Sequence, residues 1–184
     1  MLELYTHPMS PCAQKVRLVL AEKGIDWTPR PVDLAGKENL QPWYLKLNKL
    51  GVVPTLVDDG HPVIESSIIC EYLEDRFPAV RLRPATPLAT AHMRFWMKHV
   101  DNKLHPACGT LQWPLLMRPR LLEMAPEQRA RLLDQVVERE RRERQKRLAE
   151  HGLDAPDVAI AVATYAQTIA DLDAALAGRA FAAA

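Results

Sequence analysis

Strand patterns are confined to the first 80 or so residues of this 184-residue chain, and this asymmetry restricts the fold more than any other feature. Short apolar runs alternate there with amphipathic stretches, and Asp58-Asp59-Gly60-His61 separates two of the runs. Asp-Gly between apolar runs is a strong hairpin signal. Pro29 and Pro31 lack N–H donors, so they place their strand at a sheet edge. The predicted order is β-α-β-α-β-β-α, over residues 2–5, 11–23, 27–32, 42–47, 55–57, 62–64 and 65–77.

Two of these predicted helices have an apolar face. Apolar residues recur in both at the three-to-four-residue spacing of a helix that packs on one side. The residues predicted to face the core are Cys12, Val16, Val19 and Leu20 in the first helix, and Ile68, Ile69, Tyr72 and Leu73 in the last. Cys70 lies among the second group, so it is also interpreted as a core residue.

No strand pattern follows the proline-rich segment Pro84-Ala85-Thr86-Pro87, which is typical of a linker between domains. Helical patterns cover residues 87–112, 126–150 and 156–177, and a helix break is expected near the segment His105–Gly109. The predicted fold class is α/β followed by all-α. The predicted domains are residues 1–80 and 87–184, joined by a linker over residues 81–86.

Composition excludes several classes of function. Lys and Arg total 24 against 23 for Asp and Glu, so no charge bias favours nucleic acid or an anionic membrane. No apolar stretch approaches the roughly 20 residues that span a bilayer. No signal peptide pattern is visible after Met1, and three widely spaced cysteines are typical of a reducing cytoplasm. Their spacing matches no metal site, so no metal is expected.

The candidate reactive segment is Ser10-Pro11-Cys12, which joins the first strand to the first helix. The N-terminus of a helix has unpaired N–H groups and a positive dipole end, and both favour an anion such as a thiolate. Ser10 is predicted to cap the helix, with Pro11 at its first position. Periodicity alone places Cys12 on the buried side, whereas its position at the helix end favours a reactive thiolate.

Three segments together resemble the glutathione transferase superfamily. They are Ser10–Arg17 (SPCAQKVR), Val53–Leu56 (VPTL) and Glu65–Leu73 (ESSIICEYL). The resemblance is to serine-type members of the tau and zeta kind. It implies a thioredoxin-like N-terminal domain that binds glutathione, and a helical C-terminal domain that binds the second substrate.

The resemblance also implies a role for each segment. Ser10 would donate a hydrogen bond to the glutathione thiolate. Val53 would pair with the cysteinyl backbone of glutathione, because the following bond, to Pro54, is cis in the family. Glu65 would hold the γ-glutamyl ammonium, and Ser66 its carboxylate.

One position departs from the family pattern. Many relatives carry Lys or Gln just before the Val-Pro pair, where it contacts the glycyl carboxylate of glutathione, but this chain has Val52. Gln41 or Lys49 is the proposed substitute. A protein that binds glutathione weakly without catalysis, or that works through partners, is therefore one alternative.

The second alternative makes Cys12 catalytic, in reductive dehalogenation, thiol transfer or isomerisation. The residues around Cys12 also resemble the tetrachlorohydroquinone dehalogenases, in which a cysteine forms a mixed disulfide with glutathione. A glutaredoxin-type dithiol is excluded, because Ser10 and Ala13 occupy its two cysteine positions. Cys108 is interpreted either as core or as part of the second-substrate pocket.

Two further stretches resemble the bacterial β-aryl etherase branch. They are residues 65–78 and 93–98. The resemblance implies a cytoplasmic homodimer that acts in detoxification. In such an enzyme the thiolate of bound glutathione attacks a hydrophobic or aromatic electrophile, including an aryl ether. The resemblance also implies that the helical domain is truncated, because relatives continue beyond Arg179 into a further central helix.

Overall fold

The structure is a computed structural model that describes residues 1–182. The chain divides into two compact units, one over Met1–Arg83 and one that begins at Pro84. The described part of the second unit contains helices and no strand. This arrangement confirms the predicted α/β part followed by a helical part. No helix among the described residues combines the length and apolar character needed to cross a membrane.

The first unit is built on a four-stranded mixed sheet with the order β2-β1-β3-β4. β2 is parallel to β1 and lies at the edge, as its two prolines predict, whereas β3 is antiparallel to both β1 and β4. Asp59 and Gly60 have φ values of 47° and 84°. Positive φ at both central residues suits the tight turn of a hairpin, so the Asp-Gly prediction is confirmed. The strands are β1 (Leu2–Thr6), β2 (Thr28–Pro31), β3 (Thr55–Asp58) and β4 (His61–Ile64).

Three α-helices complete the first unit, and α1 packs against α3. They are α1 (Pro11–Glu22), α2 (Pro42–Leu47) and α3 (Ser66–Arg76), with a short 3₁₀ helix over Glu38–Leu40. Apolar residues from β1, β3, α1 and α3 form the main core, which includes the fully buried Leu4, Leu20, Leu56, Ile69 and Leu73.

Two of the residues predicted to lie in the core are not buried there. Ile68 is 58% exposed, because the buried face of α3 is centred on Ile69 and Leu73. Cys12 is only partly buried, because Ala13 takes the inward position in the first turn of α1. A sequence stripe fixes the spacing of a buried face but not its centre, which depends on the angle at which the helix meets the sheet.

A buried lysine holds the chain that follows α3 against the rest of the first unit. The Lys23 Nζ atom lies 2.6 Å from Glu74 Oε2, and the two side chains are 1% and 11% exposed. The same ammonium donates to the carbonyls of Phe77 at 3.0 Å and Val80 at 2.6 Å. Its three donors are therefore all satisfied.

The second unit consists of helices joined by short turns. They are α4 (Pro87–His99), α5 (His105–Leu116), α6 (Arg118–Leu122), α7 (Pro126–Asp134), α8 (Arg139–His151) and α9 (Pro156–Leu176), with a π turn over Val100–Leu104 and a 3₁₀ turn over Gly152–Asp154.

Two predictions for this unit are wrong. The helical path does not break within His105–Gly109, because the wide π turn over Val100–Leu104 just before accommodates Pro106, which has no N–H to donate. The single helix predicted over residues 126–150 is two helices. The chain leaves the helical path after Asp134, Val136 becomes buried, and Arg142 Nη1 donates to the Val136 carbonyl at 3.0 Å.

Candidate active site

The register of the sheet brings the three sequence segments to one end of it. Tyr5 pairs with Thr55 across β1 and β3, and Thr55 pairs with Ile64 across β3 and β4. The loop after β1, the residues before β3 and the start of α3 therefore leave the sheet at the same end. Lys15 Nζ donates to Ser67 Oγ at 2.7 Å, which ties the start of α1 to the first turn of α3.

Ser10 is the N-cap of α1. Its backbone is extended, Pro11 follows at the first helical position, and its Oγ accepts a hydrogen bond from the Ala13 N–H at 3.2 Å. The side chain is only partly buried. Because a hydroxyl has one donor and two acceptor sites, this cap leaves the Ser10 proton available for an anion at the helix end.

Arg17 holds the loop in front of Ser10. Its Nη1 donates to Thr6 Oγ1 at 2.8 Å and to the His7 carbonyl at 3.3 Å, and its Nη2 donates to the Pro8 carbonyl at 3.3 Å. The Ser10 N–H donates to the His7 carbonyl at 3.1 Å and closes the turn. Arg17 was not predicted as a site residue from the sequence, although a basic residue seven positions after the cap lies on the cap's side of the helix.

Cys12 lies in the first turn of the same helix, and its side chain is partly buried. All three cysteines are thiols. Cys70 packs against the main core. In the second unit, burial raises the pKa of Tyr165, as does its hydrogen bond with Cys108. The geometry places both Ser10 and Cys12 at the positive end of α1.

The bond between Val53 and Pro54 is cis, and a buried polar network supports the chain on both sides of it. The Tyr44 hydroxyl lies 2.7 Å from the Val52 carbonyl and 3.0 Å from Thr55 Oγ1. Asn48 Nδ2 donates to the same two oxygen atoms, at 2.9 and 3.1 Å.

The protons of this network are fixed by counting donors. Tyr44 has one proton, which it donates to the Val52 carbonyl, so Thr55 donates to the Tyr44 oxygen. Burial raises the pKa of Tyr44 to about 12, so the phenol stays protonated at neutral pH. Neither Tyr44 nor Asn48 was predicted as a site residue, because the pattern of a tyrosine in a short amphipathic helix is the same as that of a core residue.

Glu65 and Ser66 lie at the start of α3. Glu65 is the N-cap residue with φ 69°, and its side chain is exposed and makes no capping hydrogen bond. Ser66 is the first helical residue and is buried. A left-handed backbone at a residue other than glycine is uncommon and is found often at functional sites.

Gln41 and Lys49 lie at opposite ends of α2, and both side chains are exposed. Gln41 precedes the helix, whereas Lys49 belongs to the turn that leads to Val52. A six-residue helix of roughly 9 Å separates them, so they do not form one cluster. Among the described residues, no group of three His, Cys, Asp or Glu side chains is arranged to hold a metal ion.

Residues 4–81 match the family described as Glutathione S-transferase, N-terminal domain. Protein LigF of Sphingobium sp. strain SYK-6 is 37% identical over 129 residues, which cover 69% of this chain and 50% of LigF. The maleylacetoacetate isomerase of Pseudomonas aeruginosa is 43% identical over 108 residues, which cover 57% of this chain and 51% of the isomerase.

A solved structure matches the chain over most of its length. The crystal structure of the beta-etherase LigF superposes with a TM-score of 0.85 and 31% identity, covering 96% of this chain and 73% of that structure. In the sequence comparisons, this chain spans about half the length of the curated relatives it matches.

Proposed function

The chain belongs to the glutathione S-transferase family, and we propose that it binds glutathione and transfers it to a hydrophobic or aromatic electrophile, including the carbon of an aryl ether. The observation that carries the proposal is the position of Ser10, whose Oγ accepts the Ala13 N–H and keeps its own proton at the N-terminus of α1. The proposal includes a cytoplasmic homodimer that acts in detoxification.

The chemistry needs a stabilised thiolate. A free thiol has a pKa near 8.5, so only about a few per cent is ionised at neutral pH. A hydrogen bond from Ser10 and the positive end of α1 would both lower the pKa of the glutathione thiol. The sulfur then forms a bond to the electrophilic carbon, the bond from that carbon to its leaving group breaks with its electron pair, and the leaving group takes a proton from water.

The rest of glutathione would be held by the other two segments. The exposed Glu65 carboxylate suits the γ-glutamyl ammonium, and Ser66 with the free N–H groups of the first turn of α3 suits its carboxylate. Val53 would pair with the cysteinyl backbone. Either Gln41 or Lys49 would meet the glycyl end.

The second candidate uses Cys12 as the nucleophile toward an electrophilic carbon or a disulfide of glutathione. Its partly buried position in the first turn of α1 favours this candidate, because a thiol there is not enclosed by the core. One relative is named maleylacetoacetate isomerase, which agrees with an isomerase alternative.

Ser10→Ala and Cys12→Ala separate the two candidates. The full chain is assayed with 1-chloro-2,4-dinitrobenzene and with a β-aryl ether, and glutathione affinity is measured by calorimetry. Removing a donor to a reacting anion typically lowers kcat by about a hundredfold. The Ser10→Ala variant is therefore expected to lose activity of that order, and the thiol of bound glutathione is expected to titrate at higher pH.

Matched controls isolate this effect from helix capping. Thr86 caps α4 through a hydrogen bond from Ala89 N–H to Thr86 Oγ1, also at 3.2 Å, so Thr86→Ala removes an equivalent cap elsewhere. Cys70→Ala is the control for Cys12→Ala. Equal losses in the Ser10 and Thr86 variants contradict a role of Ser10 toward the thiolate. Activity that survives Ser10→Ala but not Cys12→Ala supports the second candidate, and a chain that binds glutathione without turnover supports the non-catalytic alternative.

A further inference from the structure

The second unit contains a cavity of about 420 Å³ between α6, α7 and α8. It is open to solvent, and five of its nine lining residues are apolar, among them the buried Leu133 and the exposed Leu122 and Ala130. Leu133 also belongs to the small core that these helices share. Cavities of this size with mostly apolar walls and a few charged groups are typical of small-molecule sites. None of the lining residues takes part in the proposed glutathione site.

The rim of the cavity is positively charged. It carries Arg118, Arg129, Lys146 and Glu150, so three cationic side chains face one carboxylate. Lys146 is ion-paired with an acidic residue of α7, at 2.9 Å. Arg118 Nε donates to the Ala149 carbonyl at 3.0 Å and thereby holds the end of α8.

Arg129 differs from the other two cations. Its guanidinium has no hydrogen bond or ion pair with any residue of the described chain, 1–182, although its side chain is partly buried. A guanidinium offers a planar fork of N–H donors that matches both oxygen atoms of a carboxylate. An unoccupied fork at the edge of apolar walls therefore favours a ligand that has an anionic end and an apolar body.

We propose that this cavity binds a small aromatic carboxylate, with its ring against Leu122, Ala130 and Leu133 and its carboxylate paired with Arg129. A neutral aromatic compound would leave the guanidinium without a partner. Inorganic phosphate would leave the apolar walls exposed to water, and the excess of positive charge on the rim repels metal cations. An aromatic carboxylate covers the apolar lining with its ring and pairs with Arg129 through its carboxylate. It binds independently of glutathione.

The test measures the binding of 2-naphthoate to the full chain by calorimetry, with 2-naphthamide as its uncharged counterpart. The Arg129→Gln substitution is expected to weaken 2-naphthoate binding by about tenfold or more, because it removes a hydrogen-bonded charge. Ala130→Trp fills the cavity from an exposed position and is expected to abolish binding. Arg131→Gln is the matched control, since Arg131 is an exposed arginine of the same helix that does not line the cavity.

The proposal is supported by one-to-one binding that persists with saturating S-hexylglutathione and that depends on Arg129 and Ala130 but not on Arg131. It is overturned by equal effects of the Arg129 and Arg131 variants, by equal affinity for the amide, by displacement with S-hexylglutathione, or by no binding of 2-naphthoate. Circular dichroism of each variant verifies that it is folded. Because the ligand is tested without glutathione as well, the proposed transferase activity can fail while this site stands.

Discussion

Replacing Lys23 with Met is expected to destabilise the first unit more than the loss of any exposed ion pair. The three donors of Lys23 are used by Glu74 and by the carbonyls of Phe77 and Val80, and the side chain is 1% exposed. Methionine keeps most of the volume but supplies no donor. Glu74 would then remain as a charge that is 11% exposed and has lost its paired ammonium.

Breaking a buried ion pair by removing one partner typically costs about 3–5 kcal/mol. That is a large share of the roughly 5–15 kcal/mol that stabilises a folded protein. For a chain of this size it corresponds to a fall in Tm on the order of 10 °C. Urea unfolding of the full chain, followed by far-UV circular dichroism, measures the change in the free energy of unfolding.

Lys146→Met is the matched control. Lys146 lies 2.9 Å from Asp134, but these side chains are 41% and 62% exposed, so the cost is expected to stay below about 1 kcal/mol. A double variant, Lys23→Met with Glu74→Leu, is expected to recover part of the loss, because it removes the isolated charge. Equal losses at Lys23 and Lys146, or strictly additive effects in the double variant, would refute the reasoning.

Two further outcomes follow from the same structure. Burial opposes the ionisation of Glu74, but hydrogen bonds from Lys23 and from two backbone N–H groups outweigh it and hold its pKa below the usual 4.5. The stability that Glu74 contributes is therefore fully present above about pH 4.5 and is lost as the pH falls through the lowered pKa. The difference in the free energy of unfolding between the wild type and Glu74→Gln should therefore become smaller in acid. A difference that stays constant down to about pH 3 contradicts this. Tyr44→Phe should cost about 1–3 kcal/mol, since it removes a hydrogen bond from the Val52 carbonyl and leaves the buried Thr55 hydroxyl without its Tyr44 partner, and it should weaken glutathione binding in calorimetry. Tyr72→Phe, which removes a partly exposed hydrogen bond to Asp58, should cost less, and equal costs would count against the network.

Local patterns predicted the elements of the first unit well. The cap at Ser10, the proline at the next position and the hairpin at Asp59-Gly60 depend on neighbours within a few residues, so the sequence contains all that they need. The same applies to the short helix α2, whose predicted and observed bounds agree. The roles of Val53 and Glu65 came from the family resemblance, and they stay predictions.

Longer patterns were less reliable where tertiary contacts compete with periodicity. The helix predicted over residues 126–150 has an apolar start followed by a mixed-charge run, but burial of Val136 interrupts it. Ile68 and Cys12 lie on stripes that are apolar in sequence, yet the packing of α3 and α1 turns other residues inward. A helix can rotate by one residue at little local cost, so only its partners decide which stripe is buried.

By itself, the sequence determined the order of the elements, the division into an α/β part and a helical part, and the cap at Ser10. The tertiary structure decided which distant groups meet. It placed Lys15 against Ser67, buried Lys23 beside Glu74, and assembled a cavity around Arg129. Local elements depend on backbone conformation and near neighbours, whereas these contacts depend on the register of the strands and the packing of the helices, which no short stretch of sequence specifies.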